Sequence, residues 1–275
     1  MNPVDITFTR TSSMKERILI LGGTTEAYVL AEALAAHDDL RVTNSLAGRT
    51  TDPRLPAGET RIGGFGGPEG LIDYLHEQRI RAVFDVTHPF AASMGWNAYQ
   101  ACHAARVPLL RLERPAWTPE EGDRWDQVEG WDEAVNTLIQ GGPQRVLLAV
   151  GRQELVPFAG LDDIWFLIRA VTPPDPMPEF PLAELLLSRG PFDLDNERKL
   201  LDEHRIDTIV CKNSGGLATS AKLIAARERG IRVIMRQRPR RPETPLATSV
   251  EGALNWLEMR KTQWRCEREP ARAAG

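Results

Sequence analysis

Short apolar runs alternate with helix-patterned segments along almost the whole chain, and this alternation restricts the fold more than any other feature. Ile18, Leu19, Ile20 and Leu21 end in Gly22-Gly23, and residues 25–36 follow with helix formers that place Val29, Leu30 and Leu34 on one face. The order is strand, tight turn, helix. Further apolar runs stand at 41–46, 82–87 and 108–112, with helical patterns at 69–78 and 92–105. Strands alternating with helices predict parallel sheets of the α/β class, because each crossover must carry the chain back to the same edge. A second series has strands at 145–150, 164–171, 184–188, 208–212 and 232–235, and its clearest helices at 195–204 and 219–229. Between the series the pattern breaks at 114–131, where Pro115, Pro119, Gly122 and Gly130 stand among acidic residues, and this stretch reads as the linker.

A chain of 275 residues exceeds the usual size of one hydrophobic core, so two domains are expected, with a ligand cleft between them. Hydrophobic residues at 42% and charged residues at 26% suit a soluble globular enzyme. No run approaches the roughly 20 apolar residues that cross a bilayer, which predicts a cytoplasmic protein without a membrane partner. Cys102, Cys211 and Cys266 lie far apart without metal-ligand spacing, so free thiols and no metal are expected. A net charge of -4 argues against nucleic acid as a partner. The locally basic stretch 236–241 reads as a solvated loop or a contact for a small anion.

In open parallel sheets ligands gather beyond the carboxyl ends of the strands, where helix N-termini turn their N–H groups outward. That rule selects residues 22–26, 45–49, 87–90, 151–154, 188–192 and 212–216. Gly22, Gly23, Thr24, Thr25 and Glu26 resemble a dinucleotide fingerprint with Thr24 in place of the second glycine, and both threonines offer hydroxyl donors to a phosphate. Ser45 and Arg49 follow the second strand in a stretch without a carboxylate. A guanidinium there can bind a 2′-phosphate through paired hydrogen bonds, which predicts NADPH over NADH. Thr87 and His88 close another strand, and His88 is read as a proton donor, a ligand contact or a loop strut. Arg189 and Gly190 end a strand of the second half. Lys212, Ser214, Gly215 and Gly216 combine a cation with glycines that open backbone N–H groups, so Ser214, Gly215 and Gly216 are candidate cofactor contacts. Trp117, Trp125 and Trp131 read mainly as packing residues, and Trp256 sits in a C-terminal helix that docks on a domain.

Gathered in order, GGTTE at 22–26, NSLAGR at 44–49, THPFAA at 87–92, RGPF at 189–192 and KNSGG at 212–216 resemble the motifs of the precorrin-6A reductase family over about residues 17–257. Asn44 stands where the family more often has threonine. The resemblance implies two Rossmann-like lobes, 17–115 and 116–260, each with a parallel sheet flanked by helices, together with flexible ends at 1–16 and 261–275. It implies NADPH-dependent reduction of precorrin-6A to precorrin-6B by hydride transfer to the C18=C19 double bond of the macrocycle. Lys212 and His88, or an ordered water, are candidate proton donors for the adjacent carbon. Arg152, Arg169, Arg189 and Lys212 offer counter-charges to the carboxylates of the tetrapyrrole, with His88 and Gly190 as further substrate contacts. Other corrin-pathway enzymes are admitted as partners. Three alternatives stay open: the cobalt-precorrin-6A reductase of the anaerobic route, a non-catalytic NADPH or tetrapyrrole-binding protein, and an NADPH-dependent oxidoreductase of unrelated substrate. Replacing Arg49 with alanine is expected to weaken NADPH binding much more than NADH binding in parallel titrations; equal losses would remove Arg49 from the 2′-phosphate.

Overall fold

The first strand, β1 (Glu16–Leu21), shows why the protein is layered. Ile18 and Ile20 enter one hydrophobic cluster and Leu19 and Leu21 another, so a strand with a two-residue period feeds two cores. Helix α1 (Thr25–Ala35) covers the first face with Ala27, Leu30, Ala31 and Leu34, spaced three and four residues apart. Val29 is 48% exposed, which corrects the face expected from the sequence: two residues from Ala27, it falls on the far side of the helix. The chain continues through β2 (Leu40–Leu46), β3 (Glu59–Ile62), α2 (Gly67–Glu77), β4 (Ile80–Asp85), α3 (Ala92–Ala105) and β5 (Leu109–Leu112). Leu71 and Leu75 of α2, with Ala98, Ala101 and Cys102 of α3, cover the second face. This computed structural model describes residues 15–48, 55–142 and 144–268, so 1–14 and 269–275 of the two expected flexible ends lie outside the described residues. The expected tail from 261 is corrected in part: residues 261–268 continue the last helix, and Trp264 is buried in the first core.

After β5 the chain enters a second unit, comprising β6 (Arg124–Val128), α4 (Trp131–Gly141), β7 (Arg145–Ala149), β8 (Trp165–Ala170), β9 (Ala183–Leu187), α5 (Leu194–Glu203), β10 (Thr208–Lys212), α6 (Ala221–Arg229) and β11 (Arg232–Arg236). It ends with β12 (Leu246–Ala247) and α7 (Val250–Arg268), which belong to the first unit. Each unit holds a six-stranded sheet, β12-β5-β4-β1-β2-β3 in the first and β6-β11-β10-β7-β8-β9 in the second. Every pairing is parallel. In the second sheet Val146, Leu148, Val210 and Ile234 face a core that contains Ala134 and Leu138 of α4. Leu147, Ile209, Cys211 and Val233 face the core that contains Leu201 of α5 and Leu223 of α6.

The α/β architecture matches the sequence reading, whereas the boundaries 17–115 and 116–260 require correction. One unit comprises residues up to Glu113 and from Pro242 onward; the other is Arg114–Arg241. The two sheets exchange edge strands: β6 follows β5 in the chain but pairs with β11, and β12 follows β11 but pairs with β5. The expected linker at 114–131 conceals β6 because an edge strand is held by its backbone and can carry polar side chains. Trp256 of α7 packs edge-on against Phe84 with centroids 5.4 Å apart, which fixes the last helix to the first core.

Arg169 of β8 is also not the ligand counter-charge expected from the sequence. Its guanidinium forms paired hydrogen bonds of 3.0 and 2.9 Å with Glu197 of α5, with side-chain exposures of 6% and 4%. The Phe192 ring stacks beneath it, 4.4 Å away. Breaking a buried pair strands the partner's charge, so Arg169→Met is expected to destabilise the protein by about 3–5 kcal/mol in urea unfolding, and adding Glu197→Leu is expected to recover most of that loss. A loss below about 1 kcal/mol in the single variant would contradict this account of the pair.

Candidate functional site

Strand order opens a crevice in each unit. In the first, β2 and β3 lie on one side of β1, while β4, β5 and β12 lie on the other. Helix α1 leaves β1 toward one face and α3 leaves β4 toward the opposite face, so the two loops part at the carboxyl ends of β1 and β4. Gly22 to Glu26 begin one loop, and Thr87 and His88 lie in the other. In the second unit the same reversal occurs between β7 and β10. There Arg152 and Glu154 follow β7, while Lys212 ends β10.

The first crevice is built on internal struts. The Thr24 hydroxyl donates to the Val86 carbonyl at 2.8 Å and accepts from Ala27 N at 3.2 Å as the N-cap of α1. This corrects the expected role of Thr24: its hydroxyl joins the two loops and is not a donor to a ligand. Thr25 is exposed at the first turn of the helix, and Glu26 stands beside it. Gly23 has φ +112° and open space where a Cβ would be, so its backbone can be approached closely. Buried Asp85 accepts from Thr87 N at 3.1 Å and from Thr87 Oγ1 at 2.6 Å. His88 Nδ1 accepts from Phe90 N at 3.2 Å, so the neutral imidazole carries its proton on Nε2. Ser45 is buried: its carbonyl accepts from Gly22 N and its hydroxyl from Arg61. Ser45 therefore supports the turn. Arg49 lies outside the described residues.

The second crevice is organised by a carboxylate that was not singled out from the sequence. Glu154 Oε2 forms a close ion pair with Lys212 Nζ, and its Oε1 accepts from Arg236 Nη1 at 3.0 Å. Arg236 also stacks on Trp131 at 4.7 Å. One anion thus fixes two cations. The strand-end rule covered residues 151–154, but an acidic residue carried no obvious meaning beside an anionic ligand; Arg236 was hidden in a stretch read as a solvated loop or a small-anion contact.

Beyond Lys212 the loop serves packing as well as any ligand. The Asn213 side chain exchanges hydrogen bonds with the Trp117 backbone at 2.8 and 2.9 Å. Arg114 and Arg238 both donate to the Ser214 carbonyl, and Trp117 Nε1 donates to the Gly216 carbonyl. Gly215 (φ +68°) and Gly216 (φ +79°) let the loop press against residues 114–117. These glycines, expected to open backbone N–H groups to a ligand, also serve the turn itself. Arg189 is exposed beyond edge strand β9, and Gly190 packs near the Ala218 carbonyl, so neither adjoins the reversal between β7 and β10 in strand order.

Parallel sheets whose strand order reverses beside glycine turns define a two-unit α/β protein of the doubly wound class. Within that class the chain belongs to the precorrin-6x reductase CbiJ/CobK family, whose model matches residues 17–258. It is similar to the precorrin-6A reductase of Rhodococcus erythropolis, with 49% identity over 243 residues covering 88% of this chain and 97% of the relative. A solved structure titled CobK precorrin-6A reductase superposes with a TM-score of 0.84 at 43% identity, covering 89% of this chain and 97% of that one. A cobalt-precorrin-6A reductase of Priestia megaterium is 27% identical over 234 residues, with 81% and 91% coverage.

A Cβ at Gly215 would stand 2.1 Å from the Pro115 carbonyl oxygen, at a backbone angle that L side chains rarely adopt. Gly215→Ala is therefore expected to lower stability by roughly 2–3 kcal/mol, read as a drop in melting temperature. An unchanged melting temperature would show that the loop can leave residues 114–117 without cost.

Proposed function

We propose that this chain catalyses the NADPH-dependent reduction of precorrin-6A to precorrin-6B, with hydride transfer to the C18=C19 double bond. The observation that carries this reading is membership of the precorrin-6x reductase family over residues 17–258, on a unit whose strand order opens a nucleotide crevice beside Gly22-Gly23. The local chemistry suits the cofactor. Gly23 admits close approach to its backbone, Thr25 is exposed at a helix N-terminus, and described residues 40–48 contain no carboxylate to repel a 2′-phosphate. Bound there, a reduced nicotinamide supplies the hydride.

Charge and a proton are the remaining needs of the reaction. Glu154 holds Lys212 and Arg236 at fixed positions, where both cations can meet carboxylates of a tetrapyrrole. Lys212 is the proton donor in this reading: its ammonium gives one proton to the carbon adjacent to the hydride acceptor and recovers it from water. His88 is less suited to donate as an imidazolium, because protonating Nδ1 would break the hydrogen bond from Phe90 N. The metal-free substrate is favoured by the higher identity to the Rhodococcus relative than to the relative named for the cobalt form. No helix among the described residues is long and apolar enough to cross a membrane, and the reading places the enzyme in the cytoplasm with its soluble cofactor.

Anaerobic NADPH oxidation by the full chain, measured with precorrin-6A, with its cobalt analogue and with NADH, tests the reading. Oxidation coupled to a reduced macrocycle is expected with precorrin-6A and NADPH. Lys212→Met is expected to lower kcat by about 100-fold or more while NADPH affinity stays within about twofold, as for loss of a general acid. NADPH binding with neither ring reduced would sink the reductase reading, and an undiminished kcat in the variant would remove Lys212 from proton delivery.

A further inference from the structure

Arg61 of β3 is held in place without a carboxylate partner among the described residues, in contrast to Arg41 on the neighbouring strand, which pairs with Glu59 at 2.6 Å. In the parallel register Arg61 lies directly opposite Ser45 of β2. Its Nη1 donates to Ser45 Oγ at 2.9 Å and to the Gly63 carbonyl at 3.0 Å, while Nη2 donates to the Gly64 carbonyl at 3.0 Å. The guanidinium also lies 3.8 Å from the Phe65 ring centroid and 5.3 Å from that of Tyr74. These groups are neutral. They fix the direction of the cation but leave its charge uncompensated among the described residues.

Five N–H groups belong to a guanidinium, and three are engaged by these acceptors. The remaining two are on Nε and Nη2, the side-by-side pair that matches two oxygens of a phosphate. Position narrows the anion further. Ser45 stands near the carboxyl end of β2, which adjoins the crevice strand β1, and Arg61 near the carboxyl end of β3 on its far side; the end of the second strand is where this class of fold receives the adenosine ribose of a dinucleotide. Neighbouring Asn44 turns its amide to the Ala57 and Glu59 carbonyls at 2.8 and 3.3 Å.

We propose that Arg61 is a specificity-determining residue that binds the 2′-phosphate of NADPH through its Nε–Nη2 edge. The assignment rests on the NADPH reading and adds to it a preorganised anion contact contributed by β3. Ser45 becomes a positioning residue, acting through the guanidinium that its hydroxyl holds.

Calorimetric titration of the full chain with adenosine 2′,5′-bisphosphate and with adenosine 5′-monophosphate separates this proposal from the reading beneath it. The wild type is expected to prefer the bisphosphate, and Arg61→Ala to weaken bisphosphate binding by roughly 10- to 100-fold while monophosphate affinity stays within about twofold, the range for a lost charge-assisted contact. A wild type that prefers the bisphosphate and an Arg61→Ala variant that retains the full preference would overturn the Arg61 assignment and leave the NADPH reading standing. A wild type with no preference would overturn both. If Arg61→Ala is unfolded at the assay temperature, Arg61→Gln, which keeps much of the stem and some hydrogen bonding, is measured with the same expectation and the same overturning result.

Discussion

A parallel strand can be followed by a neighbour in its own sheet only through a crossover, and the crossover lays chain across one face of that sheet. Both faces of β1 are consequently covered, with Ile18 and Ile20 facing one core and Leu19 and Leu21 the other. The same rule places Leu147 and Leu148 of β7 in different cores of the second unit. Where successive crossovers change direction, their loops separate. The crevices at β1/β4 and β7/β10 are therefore results of covering the sheets, and the chemistry is added at their rims.

At those rims, much of the hydrogen bonding is used to hold loops in position. Thr24 links the turn after β1 to the Val86 carbonyl, Asp85 gathers Thr87, and Asn213 clasps the Trp117 backbone. Such struts suit a site that must present charge in one geometry, since preorganisation lowers the cost of ordering the contacts when a ligand arrives. Glu154 performs that service electrostatically for Lys212 and Arg236. The buried Arg169–Glu197 pair shows the opposite use of an arginine: its charge is satisfied inside the protein and contributes to the structure of the second unit.

Much of this was legible in the order of the residues. Ile18 to Leu21 and Thr208 to Lys212 announce central strands because both faces must be apolar, and the glycines after them mark the turns. Strands β3, β6 and β12 escaped detection for a physical reason. Glu59–Ile62 and Arg124–Val128 carry charged side chains at sheet edges, and Leu246–Ala247 is too short to show a period. Lys212 was visible as a cation beside glycines, whereas Glu154 acquired meaning only from partners distant in the chain, and Arg61 from a local turn together with Ser45 of the neighbouring strand.

The sequence by itself determined the α/β class, the central strands, the glycine turns and the family motifs, because these depend on local periodicity and local backbone freedom. Tertiary structure decided which edge strand joined which sheet, since β6 and β12 are selected by pairing across long stretches of chain. It also decided the working state of each charged group. Arg169, Arg236 and Arg61 are chemically the same residue, but a buried carboxylate, a shared rim carboxylate and a set of neutral acceptors give them different environments, and those neighbours come together only on folding.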